Sequence, residues 1–192
     1  MSSSINNAGL FLVNTIFDLY LLILMARIIL AWARADYLNP LTQIILKLTQ
    51  PIITPIRRFI PNIGGIEIST LLVFLVLAVF KFFLIGIIAF GLFANVLGLL
   101  ILACTDILKL FFNTLFYAIL LQAIMSWVQP GYSPIARTLD LITSPIMRPI
   151  QRFVPSVGGF DLSPIPALII LQLCIIILVT PMTSVGLRAA FG

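Results

Sequence analysis

The chain has 192 residues, of which 61% are AVILMFWYC and only 9% are charged, with a net charge of +5; soluble domains are nearer half apolar and a quarter charged. At about 20 apolar residues per crossing, this length holds at most four or five membrane spans and leaves little room for a soluble domain. Histidine is absent, which excludes histidine-dependent catalysis and removes the commonest metal and haem ligand; Cys104 and Cys174 stand 70 residues apart, too far for a CxxC pair or a zinc site. Both cysteines read as small core hydrophobes, and neither a metal nor a cofactor is expected.

After an N-terminal tail, residues 1–8, the first predicted span covers Gly9 to Ala33, interrupted by Asn14, Thr15, Asp18 and Arg27. A cleaved signal peptide is the rival reading, because Ala31-Trp32-Ala33 looks like a cleavage site. The run is longer than a signal core, however, and no basic residue precedes it. A polar, Pro-rich elbow (34–69) follows, then a second span over 70–94, a tight hairpin at Asn95 and a third span over 96–128. The second elbow (129–163) leads into a fourth span over 164–185, whose last turn Pro181 is expected to bend, and a short C-terminal tail. Four crossings place both termini on one side.

The two elbows are copies of one another. Pro40 to Thr70 matches Pro134 to Pro164 at 12 of 31 positions when offset by 94, and Trp32 corresponds to Trp127 at an offset of 95. The expected fold is thus all-α: four transmembrane helices in two parallel repeats (9–94 and 95–192), each a helix, an interfacial amphipathic Pro-rich elbow and a helix. The elbows hold Arg34, Lys47, Arg57, Arg58, Arg137, Arg148 and Arg152, against Arg188 on the opposite side. The positive-inside rule makes the elbow side cytoplasmic and both termini periplasmic.

Asn39-Pro40 and Ser133-Pro134 signal helix starts. Leu41, Ile44, Ile45 and Leu48 form an apolar stripe, and Gln43, Lys47 and Gln50 lie off it, a pattern suited to the headgroup plane. The prolines at 51, 55 and 61 and at 145, 149 and 155 are expected to allow at most one helical turn between them. Gly64-Gly65 and Gly158-Gly159 suit turns. Ser69 and Ser163 are expected to cap the next spans, with Glu67 and Asp161 near their positive ends. Two readings of the elbow stay open: a plain connector, or a surface that docks lipid or a partner through Lys47, Arg57, Arg58, Arg137, Arg148 and Arg152. The basic balance is a weak sign of nucleic acid, since no soluble domain forms a groove.

Asp18, Lys81, Asp106 and Lys109 fall inside apolar runs, where a lone charge costs at least about 2.5 kcal/mol. By helical rise, Asp18 and Asp106 lie about 14 Å below the outer ends of their helices, with the lysines somewhat deeper. The four are expected to form a neutral cluster, with Lys81 against Asp18 and Asp106 against Lys109 at i, i+3. Such a cluster either fixes helix packing or offers a polar path for an ion.

The pattern Arg27…Trp32…Asn39-Pro40…Thr49-Gln50-Pro51…Pro55-Ile-Arg57-Arg58…Ile60-Pro61…Gly64-Gly65-Ile-Glu67 is repeated through Trp127, Pro134, Pro145, Pro149, Arg152, Pro155 and Gly158-Gly159-Phe-Asp161. It resembles the YggT family of bacterial membrane proteins, also called YlmG, in its two-copy proteobacterial form. Gln151 departs from the family by replacing a second arginine, and Glu67 by replacing an aspartate. The resemblance implies a bacterial inner-membrane location and links to osmotic tolerance, potassium handling, division or complex assembly, and it implies no catalytic residues. An organising factor that binds anionic headgroups or a membrane-protein partner is the first expectation. An oligomeric channel or modulator built on the charged cluster is the second. With no nucleophile–base constellation, the chain is not expected to be an enzyme.

Overall fold

The computed structural model describes residues 2–35, 39–60, 67–91, 93–128, 133–154 and 161–192, and every regular element among them is helical. Helix α1 spans Ser2–Trp32, α2 Pro40–Arg57, α3 Ile68–Phe90, α4 Val96–Val128 and α5 Pro134–Gln151. α6 (Pro164–Cys174), a π-helical segment (Ile175–Val179) and α7 (Thr180–Phe191) follow without a break. Ser4–Trp32, Ile68–Phe90, Val96–Ser126 and Pro164–Phe191 are each long and apolar enough to cross a membrane. The Gly64-Gly65 and Gly158-Gly159 turns, Pro61 and Pro155 lie outside the described residues.

Lipid offers no hydrogen-bond partner, so polar groups on such helices must be satisfied internally. The Asn14 amide donates to the Leu10 carbonyl at 2.9 Å, and the hydroxyls of Thr105 and Thr114 donate one turn back at 2.7 Å each. α3 ends on Gly91, whose φ of 63° closes the last turn in the left-handed region that glycine adopts without strain. Asn95 then opens α4, its side chain accepting from the Leu97 N–H at 3.1 Å.

α4 is central: it packs on α3, α6 and α7, while α1 packs mainly on α3. Leu21, Leu24 and Met25 of α1 are buried with Phe74 and Ala78 of α3 and Ala103 and Ile119 of α4. The cysteines are free, and Cys104 lies exposed on the surface of α4 rather than in the core.

The fourth helix does not stop near Val185. A π-helical turn just before Pro181 accommodates a residue that has no N–H and whose ring crowds the carbonyl four positions back. The chain then continues as α7 and docks on the start of α4. Gly98 permits that approach, since a Cβ there would lie 2.2 Å from the Ala190 nitrogen. The Asn95 N–H donates to the Ala190 carbonyl at 3.0 Å, and the Phe90 and Phe191 rings pack with centroids 4.8 Å apart.

Prolines do not break the elbows as expected: α2 runs through Pro51 and Pro55, and α5 through Pro145 and Pro149. All four are exposed. Spaced by four, each pair lies on one outward face, so the carbonyls that lose their intrahelical partners point away from the core, where other donors can reach them. The inward faces carry Thr42, Thr49 and Ile53 on α2, and Thr138, Leu139, Ile142, Thr143 and Met147 on α5. Ile44, Leu48 and Ile52 form an exposed apolar row instead.

Asn39 joins the two elbows. Its Oδ1 caps α2 by accepting from the Leu41 N–H at 3.0 Å, and its amide donates to the Pro134 carbonyl at 2.5 Å and the Thr138 hydroxyl at 2.6 Å. Ser133 starts α5 without a side-chain cap.

Candidate functional site

The charges inside the spans converge on Lys81. Its Nζ donates to Asp18 Oδ1 of α1 at 2.6 Å and to Asp106 Oδ2 of α4 at 2.7 Å, and it lies 4.9 Å from the Phe82 ring centroid. Lys81 and Asp106 are buried, whereas the Asp18 side chain is 48% exposed. Three transmembrane helices are thereby tied at one level. The expected Asp106–Lys109 pair does not form, because Asp106 is taken by Lys81 and Lys109 is exposed on the outer side of α4. Lys109 is in none of the three ion pairs among the described residues. It does line, with Thr15, Asp18, Asp106, Asn113 and Tyr117, a cavity of about 300 Å³ between α1 and α4.

A second buried site escaped the sequence reading. Arg27, 4% exposed, donates through Nε to Glu67 Oε2 at 2.6 Å and through Nη1 to the Thr49 hydroxyl at 2.7 Å. The Thr70 hydroxyl also donates to Glu67 Oε2, at 2.7 Å. One guanidinium thus holds the end of α1, the middle of α2 and the start of α3 together. Burial pushes the Glu67 carboxyl up, but hydrogen bonds from Arg27 and Thr70 and the charges of Arg27 and Arg57 outweigh it, and its pKa lies below the ordinary value. The available signal was an arginine near the end of one apolar run and a glutamate at the start of the next, two charges at the same depth.

Ser69 and Ser163 do not cap. Both hydroxyls are buried without a hydrogen-bond partner; the acid two residues earlier takes over at the start of α6, whereas Glu67 makes no side-chain bond to the α3 backbone. Asp161 Oδ1 accepts from the Ser163 N–H at 2.8 Å, and Asp161 Oδ2 accepts from Gln151 at 3.0 Å. Burial raises the Asp161 pKa, but these hydrogen bonds win and hold it below the ordinary value. The residue 95 places after Arg27, Gln122, accepts from the Thr143 hydroxyl at 2.5 Å and donates to Asp140 at 3.3 Å.

The elbow bases Lys47, Arg57, Arg58, Arg137, Arg148 and Arg152 are all exposed. Phe59 and Phe153, each directly after an arginine, are 85% and 86% exposed. The same Arg-Phe pair thus projects from the end of both α2 and α5.

The CCB3/YggT family model matches residues 6–88 and 101–182. The chain is 42% identical over 167 residues to an uncharacterized protein of Vibrio alginolyticus encoded in the proC 3′ region, covering 86% of this chain and 90% of that one. It is 40% identical over 166 residues to the uncharacterized protein YggT of Escherichia coli K12, covering 86% of each, and 37% identical over 171 residues to an uncharacterized protein of Pseudomonas aeruginosa, covering 88% of this chain and 87% of the relative. No solved structure matches the chain. With its four apolar helices and two matched segments, the chain belongs to the CCB3/YggT family.

Proposed function

We propose that the chain is a non-enzymatic organising factor of a bacterial inner membrane that gathers anionic lipid headgroups at its cytoplasmic face through α2 and α5. The observation that carries this reading is the Arg58-Phe59 and Arg152-Phe153 pair, exposed at equivalent places at the ends of both elbow helices. An aromatic ring beside a guanidinium suits the membrane–water boundary: the ring enters the acyl region and the cation stays with phosphate. The exposed row Ile44, Leu48 and Ile52 gives α2 a further apolar side for the same boundary. Each basic residue near an anionic leaflet contributes about 1 kcal/mol, so six act together as a substantial local field.

The test is lipid selectivity by electron spin resonance, with spin-labelled phosphatidylglycerol and phosphatidylcholine in vesicles holding the reconstituted protein. Wild type should retain phosphatidylglycerol preferentially, and Arg58→Glu with Arg152→Glu should bring the two lipids level. Equal retention by wild type ends the proposal.

A second reading, ion movement through an oligomer, draws on the charge-lined cavity between α1 and α4. It requires charge-selective flux in liposomes that is lost in Asp18→Asn.

A further inference from the structure

The groove between α1 and α4 has a closed back and an open front. α3 closes the back by sending Lys81 to both acids, and the lining of the charged cavity comes from α1 and α4 alone. Leu22 and Tyr117 continue it into an apolar cavity of about 330 Å³, floored by Leu41 and Ile45 of α2 and Leu139 and Ile142 of α5. The front therefore presents one stripe, charged near the middle of the helices and apolar toward the elbows.

The charges on that stripe are complementary but unmatched. One lysine between two carboxylates leaves a single formal negative charge, and of the two acids Asp18 is the partly exposed one. Lys109 carries the compensating positive charge on the same cavity, exposed and without an ion partner among the described residues. Lipid tails supply neither sign, and an unmatched charge at this depth is expensive. A second copy supplies both. Rotation by 180° about an axis along the membrane normal leaves every residue at its own depth, so a two-fold contact across the groove brings Lys109 to the partner's Asp18 and Asp18 to the partner's Lys109.

We propose that the chain forms a homodimer across the α1–α4 groove, held by two reciprocal Lys109–Asp18 ion pairs in the membrane core. Leu19 and Tyr117, each 59% exposed, flank these charges and pack against the other copy around the axis. The contact uses none of the elbow bases, so it stands or falls apart from the headgroup reading.

Single-molecule photobleaching of fluorescently tagged full-length chain, diluted in liposomes, reads the assembly. Wild type should bleach in two steps, and Lys109→Met mainly in one, with its unfolding temperature in detergent unchanged because Lys109 ties no helix within the chain. Cysteine crosslinking in a Cys104→Ala, Cys174→Ala background maps the surface: Leu19→Cys and Tyr117→Cys should each give disulfide dimers in membranes. Val76→Cys should not, since α3 lines no part of the groove although Val76 is 56% exposed. One-step bleaching of wild type, two-step bleaching of Lys109→Met, or crosslinking at Val76 in place of Leu19 and Tyr117 overturns the proposal.

Discussion

Among the described residues, buried cations tie the first half of the molecule, and amides take their place in the second. Arg27 grips Thr49 and Glu67; at the corresponding places in the second half, Gln122 meets Thr143, while Asp161 is left to Gln151 and the Ser163 backbone. Lys81 bridges two acids, and the residue 94 places on is Ile175, where the helix widens into its π turn. The threonine is common to both halves and fully buried in each. Both halves thus keep a hydrogen bond between the elbow helix and the helix before it, and among the described residues a buried basic side chain is an addition made only in the first half. That addition fixes three helices at once, because a guanidinium has five donors in a fixed fork whereas glutamine has two.

The sharpest way to break this comparison is Lys81→Met. Leaving two carboxylates without their cation should cost about 3–5 kcal/mol in detergent unfolding titrations, while Ile175→Met stays below about 1.5 kcal/mol. Adding Asp18→Asn and Asp106→Asn to Lys81→Met should recover much of the loss; equal costs at 81 and 175 would show that the bridge contributes nothing. Arg27→Met follows at about 3 kcal/mol, against about 1 kcal/mol for Gln122→Met, by the same titration.

Gly98→Ala should cost about 1–3 kcal/mol, because its Cβ meets Ala190 backbone rather than a flexible side chain. Gly9→Ala, whose Cβ is 3.9 Å from Ile88, serves as the silent control.

Acid should separate the halves more gently. The depressed Glu67 pKa contributes stability that is complete above the ordinary glutamate value of about 4.3 and is lost as pH falls through the lower folded value. Unfolding temperatures on the acid side should therefore drop, and Glu67→Gln should flatten that drop. Asp161 acts with the same sign, and Asp161→Asn should flatten it less, since its partners carry no charge. Smallest of all, Ser69→Ala and Ser163→Ala should each change stability by less than about 0.5 kcal/mol or raise it slightly, as each removes a buried hydroxyl with no partner. Here the halves should respond alike.

The spans were legible because each apolar run is long and bounded by turn or charge signals, and helical rise alone brought Asp18, Lys81 and Asp106 to overlapping depth. What a one-dimensional pattern does not carry is the direction each side faces. Pro51 and Pro55 read as breakers, yet they share an outward face where lost backbone bonds are tolerated. Ser69 and Ser163 read as caps, yet Asp161 takes the Ser163 backbone N–H, and at the start of α3 Glu67 turns to Arg27 and the Thr70 hydroxyl. Arg27 and Glu67 are 40 residues apart, and nothing in local spacing shows that they meet directly or that Thr49 of α2 joins the same guanidinium. Lys109 sits one turn after Asp106, but the carboxylate turns inward to Lys81 and the ammonium outward.

The position of Lys81 also bears on how the chain is made. Helices enter the membrane in the order of synthesis, so Asp18 arrives first and would remain an unmatched anion until α3 delivers its cation at 2.6 Å. α4 then brings Asp106 and Lys109 together, one of each sign. After α3, α4 leaves the net charge at the level of Lys81 unchanged, because its acid and its base enter together.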